Sequence, residues 1–113
     1  MSVKLDSDKL WSRRIQNLRV IIAHQGSNAS RLAQETGLGI NTVTTILRGE
    51  SRPRADTLER VCHALGVSNV AMLDSENPIS EVRNDLYRLL ATMTDDQARR
   101  LLDCADEISA DQS

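Results

Sequence analysis

The sequence predicts an all-α fold with five short helices followed by a two-helix hairpin. The chain has 113 residues, of which 40% are apolar, but it contains no Phe and only one Trp and one Tyr. Leu, Ile, Val and Ala must therefore fill the core. Their spacing along the chain is mostly three and four, as in a helix, and few segments alternate with the period of two that is typical of strands. The length indicates one domain, or one domain with a small appendage.

Five helices are predicted in the first two-thirds of the chain, each from apolar residues at helical spacing. A glycine follows four of them, because glycine adopts the positive φ that ends a helix at little cost. Pro53 lies between the third and the fourth helix, since a helix usually stops before a proline. The predicted helices cover residues 10–24, 29–36, 40–48, 55–65 and 69–73, and Ser68 is expected to cap the last of them.

Two longer helices are predicted after a linker at residues 74–78. The Asn-Pro pair at the end of this linker is favourable at the start of a helix. The sequence Thr-Asp-Asp-Gln, residues 94–97, is typical of a capping box that begins the last helix. Both helices carry an apolar stripe, which predicts a helical hairpin over residues 79–110. We expect residues 1–9 to form an N-terminal arm and residues 111–113 a tail.

Charge is distributed unevenly along the chain. Residues 1–73 carry ten Lys and Arg against six Asp and Glu, and residues 74–113 carry four against ten. A basic half is typical of proteins that bind a polyanion, and an acidic half is unfavourable for the same contact. The alternative is an ordinary mixture of surface charges. The asymmetry favours a polyanionic partner for the first half of the chain.

The second and third predicted helices fit a helix-turn-helix. Two helices joined by so short a connection need a small residue where the backbones approach, a Gly at the turn and apolar anchors on the inner faces. Ala33 and Gly37 supply the first two, and Val43 and Ile46 supply anchors three residues apart. We therefore expect Val43 and Ile46 to face inward and the polar residues around them to face outward.

The segment RLAQETGLGINTVTTILRGESRPRADTLERVCHALGVS, residues 31–68, resembles the lambda-repressor/Cro-like (XRE family) helix-turn-helix transcription regulators. The resemblance extends over about residues 10–73. It rests on the combination of Leu-Ala, the Gly-Leu turn, the two anchors, Gly49, Pro53 and the TLERVCHALGVS stretch. It implies a five-helix lambda-repressor-like DNA-binding domain at residues 10–73 whose third helix enters the major groove of double-stranded DNA.

The resemblance also implies which side chains recognise bases, because the N-terminal part of the third helix faces the base edges. Asn41 is the residue that we expect to recognise a base, since its amide can bond both N6 and N7 of adenine. Threonines offer a methyl and a hydroxyl to the groove. Ile40 and Ala29 stand where many relatives have Gln, and together these departures favour an A·T-leaning half-site. The candidates for base recognition are Ile40, Asn41, Thr42, Thr44 and Thr45.

A second group of residues is expected to contact DNA phosphates, which position the protein and supply salt-dependent affinity. These residues end the third helix, flank Pro53 or begin the second helix. A solvated loop is the alternative for the arginines, and it is a stronger alternative for Arg13, Arg14 and Arg19 on the first helix. The phosphate candidates are Asn28, Ser30, Arg48, Arg52 and Arg54.

One short recognition helix contacts few bases, so we expect a homodimer on a palindromic operator. The apolar stripes of the predicted hairpin are candidates for the dimer interface, because a lone pair of helices cannot bury both. In the alternative, the hairpin packs on the DNA-binding module of its own chain. The candidate interface residues are Val82, Leu86, Leu89, Leu90, Leu101, Leu102 and Ala105.

Several other classes of function are disfavoured. There is no nucleophile–base pair with supporting spacing and no Gly-rich phosphate loop, so an enzyme is not expected. His24, Cys62, His63 and Cys104 match no zinc spacing, and neither a metal nor a cofactor is expected. The longest apolar runs, such as Val20–Ala23, are too short to cross a membrane. With no signal-peptide core at the N-terminus, we expect a cytoplasmic protein, bacterial or phage-encoded and nucleoid-associated, with free thiols rather than a disulfide.

Three functions remain open at this point. The preferred one is a repressor, of phage or prophage type or autoregulatory. The second is an antitoxin that represses its own operon and binds a toxin protein through the hairpin. The third is a protein-interaction adaptor that has lost DNA binding. For the repressor, an antirepressor protein, proteolysis or competition for operators could relieve repression, and no self-cleaving domain is expected.

Overall fold

The computed structural model describes residues 3–111, and side chains from residue 7 to residue 110. These residues form six α-helices and one 3₁₀ helix, with no strand among them, which confirms the predicted all-α fold. The elements are α1 (Val3–His24), α2 (Ala29–Thr36), α3 (Ile40–Leu47), α4 (Ala55–Ala64), a 3₁₀ helix (Val70–Asp74), α5 (Glu81–Thr92) and α6 (Asp95–Asp111).

The core lies among the first four α-helices and the 3₁₀ helix. α1 packs against the 3₁₀ helix and α3, while α2 packs against α3 and α4. Leu18, Leu32 and Leu73, from three different elements, are fully buried at its centre. Because the chain has no Phe, aliphatic side chains fill this space, as their helical spacing predicts.

Polar contacts also connect α1 to the end of the 3₁₀ helix. The buried Asn17 donates through Nδ2 to the carbonyl oxygens of Leu73, at 2.7 Å, and Ser75, at 3.1 Å. Arg14 donates through Nε and Nη2 to the two carboxylate oxygens of Asp74, at 2.8 and 3.1 Å. These hydrogen bonds raise the pKa of Arg14. The first residues of the predicted linker therefore belong to the packed module.

The start of α1 corrects the predicted N-terminal arm. The helix begins at Val3, so the expected arm is wrong for residues 3–9, and residues 1 and 2 lie outside the described residues. The sequence has neither Gly nor Pro before Gly26, and polar residues such as Asp8 and Lys9 are tolerated on an exposed helix. The amphipathic pattern begins later than the helix, and among residues 7–110 Trp11 is the first apolar side chain that packs on the core.

The fifth predicted helix is a 3₁₀ helix, and its cap is not the expected Ser68. The side chain of Asn69 accepts a hydrogen bond from the backbone N–H of Ala71 at 2.8 Å. Five residues between two loops favour the tighter 3₁₀ turn over an α-helix. α3 and α4 each end one residue before the predicted boundary, because the last predicted residue is the C-cap.

Side-chain caps set the starts of the last two helices. α5 begins two residues later than predicted, since its N-cap is Ser80, whose Oγ accepts from the backbone N–H of Arg83 at 3.1 Å. The predicted capping box of α6 is confirmed. The N–H of Thr94 donates to Oε1 of Gln97 at 3.0 Å, and the N–H of Gln97 donates to Oγ1 of Thr94 at 3.2 Å.

The predicted helical hairpin, residues 79–110, corresponds to α5 and α6. No residue of α5 is buried, nor is any residue of α6 up to position 110. The two helices are not among the pairs that pack closely, either with each other or with the module. Their apolar stripes therefore stay at least partly open to solvent in the described chain, and their use as a dimer interface stays a prediction. Of the predicted tail, only the backbone of Asp111 is described.

Candidate nucleic-acid interface

The turn between α2 and α3 has the geometry that a helix-turn-helix requires. Gly37 has φ of 75°, a conformation that glycine adopts without strain, and its N–H donates to the carbonyl of Ala33 at 3.0 Å. The buried Thr36 donates to the carbonyl of Leu32 at 2.7 Å and accepts from the N–H of Leu38 at 3.3 Å. These bonds satisfy the end of α2 and direct the chain into α3.

Two aliphatic side chains hold α3 against the module. Val43 is 1% exposed and Ile46 is 3% exposed, which confirms that both anchors face inward. α3 packs on α1 and α2. Residues Asn41 and Thr42 precede the first anchor and are exposed. Burial of one side thus gives α3 an outward face made of polar side chains.

The C-terminal end of α3 is fixed by a glycine turn and by an arginine of α1. Gly49 has φ of 76°, and the N–H of Glu50 donates to the carbonyl of Thr45 at 3.0 Å. Arg19 donates through Nε to the carbonyl of Leu47 at 2.7 Å, and Nη2 bonds the same oxygen. Arg19 therefore holds the C-terminal end of α3, whereas the sequence left it between a DNA contact and a solvated charge.

The five candidates for base recognition differ in their exposure and in the hydrogen-bonding groups that have no partner within the protein. Ile40, Asn41 and Thr42 are exposed, whereas Thr44 and Thr45 are half-buried. The hydroxyl of Thr44 donates to the carbonyl of Ile40 at 2.8 Å, and that of Thr45 donates to the carbonyls of Asn41 and Thr42, both at 2.9 Å. Their methyl groups and oxygen lone pairs remain available. Within residues 7–110, the amide of Asn41 has no hydrogen-bond partner.

Four of the five phosphate candidates have exposed donors. Asn28 caps α2 through Oδ1, which accepts from the N–H of Arg31 at 2.8 Å, so its amide nitrogen stays free. Ser30 is exposed in the first turn of α2, and Arg48 is exposed at the end of α3. Arg54 is exposed, with Nε 3.9 Å from Oδ1 of Asp56.

Arg52, the fifth phosphate candidate, is already engaged. Its Nη2 forms an ion pair with Asp8, and its Nη1 is 3.4 Å from Oγ of Ser7. The guanidinium lies over the ring of Trp11, 5.9 Å from its centroid, and that of Arg14 lies at 5.0 Å from the same centroid. The sequence does not predict this contact, because Asp8 falls in the expected N-terminal arm and lies 44 positions from Arg52.

The described residues offer no evident site of another kind. Both thiols are free: Cys104 is exposed, and burial raises the pKa of Cys62 to about 11. Within residues 3–111, no group of three or more His, Cys, Asp or Glu side chains could hold a metal ion. No helix in that range combines the length and the apolar character that crossing a membrane requires.

The family comparison identifies the module. Residues 17–70 match the model of the Cro/C1-type HTH DNA-binding domain. The matched range begins within α1, contains α2, the turn and α3, and ends at the first residue of the 3₁₀ helix. Residues 17–70 form a Cro/C1-type helix-turn-helix DNA-binding domain. No curated protein and no solved structure matches the chain.

The match confirms the predicted resemblance and supports DNA binding in the regulation of transcription for residues 17–70. Proteins with this domain are typically not enzymes. The matched range covers both helices whose geometry is described above, and α5 and α6 lie beyond it. The function of these two helices therefore needs a separate argument.

Proposed function

We propose that the chain is a sequence-specific repressor that binds a palindromic operator in double-stranded DNA as a homodimer, with α3 in the major groove. In this proposal, residues 10–73 are the DNA-binding unit and residues 79–110 the dimerisation segment, and the protein acts in the cytoplasm of a bacterium. The observation that carries it is the polar outward face of α3, opposite two buried anchors within a Cro/C1-type domain.

We assign base recognition to the N-terminal half of α3. Asn41 is exposed and has an unpaired amide in the described chain, which supports a bidentate contact with adenine. Thr44 and Thr45 present methyl groups because their hydroxyl hydrogens are bonded within the helix. Together with Thr42 and the exposed Ile40, these methyls favour thymine contacts and an A·T-rich half-site.

We assign phosphate contacts to the residues around this face. Arg48 and Arg54 present guanidinium groups, and Asn28 and Ser30 present donors at the start of α2. Arg52 joins them when a phosphate replaces Asp8 as its partner. Such contacts hold the protein in register but do not distinguish sequences.

We assign dimerisation to the apolar side chains of α5 and α6. Val82 is 79% exposed and Leu102 is 62% exposed, and the other large side chains of these stripes are at least partly exposed. Exposed apolar area of this kind marks an interaction surface, because burying it is favourable by about 25 cal/mol per Å². The proposed interface comprises Val82, Leu86, Leu89, Leu90, Leu101, Leu102 and Ala105.

Selection of bound sequences from a random pool of DNA duplexes tests base recognition. The wild-type protein should select a two-fold symmetric site. Asn41→Ala should weaken binding to that site by about 1–3 kcal/mol for each half-site and leave binding to random DNA unchanged. Gln16→Ala, which removes an exposed amide from α1, is the matched control and should change neither. Equal losses on both DNAs for Asn41→Ala contradict its role in base recognition.

Phosphate contact is tested on the same two DNAs. Arg54→Ala should weaken binding to the selected site and to random DNA alike, and it should reduce the dependence of affinity on salt concentration. The oligomeric state is measured by light scattering. A strictly monomeric protein at micromolar concentration contradicts the proposed dimer.

A second candidate is an antitoxin that represses its own operon. The exposed apolar stripes lie in the acidic part of the chain, and a basic partner protein would fit such a surface. In this candidate, a toxin binds α5 and α6, and in the repressor an antirepressor protein could use the same surface. Co-expression with a small basic protein from the neighbouring gene, followed by size analysis, distinguishes a stable complex from a homodimer.

A further inference from the structure

One side chain of α5 makes a group of hydrogen bonds to the Cro/C1-type domain. Asn84 donates through Nδ2 to the carbonyl of Gly66 at 2.9 Å, and its Oδ1 accepts from the backbone N–H of Ser68 at 2.7 Å. The hydroxyl of Ser68 is 2.6 Å from the carbonyl oxygen of Asn84 and 2.7 Å from Oδ1, so its hydrogen has two acceptors. Both partners lie in the turn that follows α4.

Within the described residues, these hydrogen bonds are the polar contacts that hold α5 on the domain. Among residues 7–110, every hydrogen bond from an α5 side chain to a residue before position 76 involves Asn84. The ion pair of Arg83 is with Glu76, and that of Arg88 is with Asp85. α5 has no buried residue that could fix its direction by packing. The direction in which α5 leaves the domain therefore depends strongly on Asn84.

We propose that Asn84 is a positioning residue for operator recognition: by fixing α5 on the domain, it sets the separation of the two recognition helices in the dimer. The inference rests on the proposed function, because the separation exists only if α5 and α6 join two copies. In such a dimer, the two domains must meet successive major grooves about 34–36 Å apart, so their spacing selects the half-site separation.

The length of α5 determines how far a small rotation at its base moves its far end. α5 has 12 residues, so it is about 18 Å long, and a change of about 10° at its base moves its far end by about 3 Å. That distance is close to the rise of one base pair, about 3.4 Å. A dimer whose α5 can pivot by this amount should therefore accept half-sites that are one base pair too close or too far apart.

The experiment uses the full chain and synthetic duplexes. Half-sites selected by the wild-type protein from a random pool are placed at centre-to-centre separations that differ by one base pair. The wild-type protein should bind duplexes with one separation about tenfold or more tightly than duplexes with the neighbouring separations, since both recognition helices must enter their major grooves at the same time. Asn84→Ala should reduce that preference to about threefold or less by allowing the pivot. Its dimer mass and its affinity for random DNA should be unchanged.

The controls separate this effect from loss of folding. Thr92→Ala removes a hydroxyl that bonds only the carbonyl of Leu89 within α5, and it should keep the wild-type preference. Ser68→Ala removes the hydroxyl bonds but keeps the backbone N–H, so an intermediate preference is expected. If Asn84→Ala lowers the melting temperature below the assay range, Ser68→Ala carries the test.

Two results overturn the inference, and they are distinguishable. If Asn84→Ala, or Ser68→Ala in its place, retains the full wild-type preference, Asn84 does not set the separation, while the proposed dimer stands. If the wild-type protein selects single half-sites with no preferred separation, the proposed dimer fails and the inference fails with it.

Discussion

The ion pair between Asp8 and Arg52 gives a quantitative prediction for DNA binding. It places a carboxylate on a guanidinium that we propose to contact a DNA phosphate. DNA must then displace Asp8 before Arg52 can bind. Asp8→Asn removes the competing charge and leaves a side chain of the same size. We therefore expect tighter binding to operator and to random DNA alike, because phosphates carry no sequence information.

The magnitude follows from the exposure of the two partners. The side chains of Arg52 and Asp8 are 49% and 68% exposed. An ion pair in such surroundings contributes about 0.2–1 kcal/mol, since water screens it. Two copies in a dimer then give about 0.4–2 kcal/mol, which corresponds to an increase in affinity of roughly 2- to 30-fold. The gain should shrink as salt is raised, because salt screens exposed pairs.

Fluorescence anisotropy with labelled duplexes at several salt concentrations measures this effect. Asp8→Asn is compared in the wild-type background and in Arg52→Ala, so that the coupling between the two residues is isolated from the general loss of a negative charge. Glu35→Gln releases Arg31 from a similar exposed pair at 3.1 Å and serves as a control, because Arg31 is not a phosphate candidate. An equal gain in both backgrounds, or weaker binding by Asp8→Asn, would refute the competition between Asp8 and phosphate.

The remaining predictions concern stability, assembly and thiol chemistry. Asn17→Leu leaves two carbonyls at the end of the 3₁₀ helix without their donor, which should cost about 1–3 kcal/mol in a thermal melt; an unchanged melting temperature contradicts this. Leu89→Asp should yield a folded monomer by light scattering, and a dimer of unchanged mass places the interface elsewhere. Because the pKa of Cys62 is about 11, only about one thiol in a thousand is ionised at pH 8. A thiol reagent should therefore react rapidly with one thiol per chain, that of Cys104, and Cys104→Ser should abolish this rapid reaction. Rapid reaction of two thiols per chain would contradict the prediction.

Local sequence rules predicted the parts of the fold that depend on neighbouring residues. The glycine stops, the capping box of Thr94 and Gln97, and the inward direction of Val43 and Ile46 follow from spacing alone, because each involves residues within one or two turns. For the same reason, the all-α class and the position of the helix-turn-helix were predicted correctly. The roles of individual side chains in DNA recognition remain predictions.

Contacts between distant residues could not be predicted in this way. Arg14 and Asp74 are 60 positions apart, and Arg52 and Asp8 are 44 apart, so no local pattern connects them. The sequence therefore predicts a phosphate contact for Arg52 and leaves Arg14 between a DNA contact and a solvated charge, without indicating either carboxylate partner. Ser68 was expected to cap the next helix because its type suits that role, but its hydroxyl and N–H are bound to α5. Only the packed structure shows whether Ser68 caps the next helix or bonds to α5.

The contact of the Trp11 ring with two arginines has a practical consequence. It is the only tryptophan of the chain, so its emission can be observed without interference from another indole. One of the two cations beside it, that of Arg52, is the group proposed to move to DNA, while that of Arg14 stays bound to Asp74. The protein thus carries an intrinsic optical reporter at the edge of its recognition surface. Titration with unlabelled duplex should shift the emission maximum or change the emission intensity of Trp11 as the guanidinium of Arg52 moves to DNA.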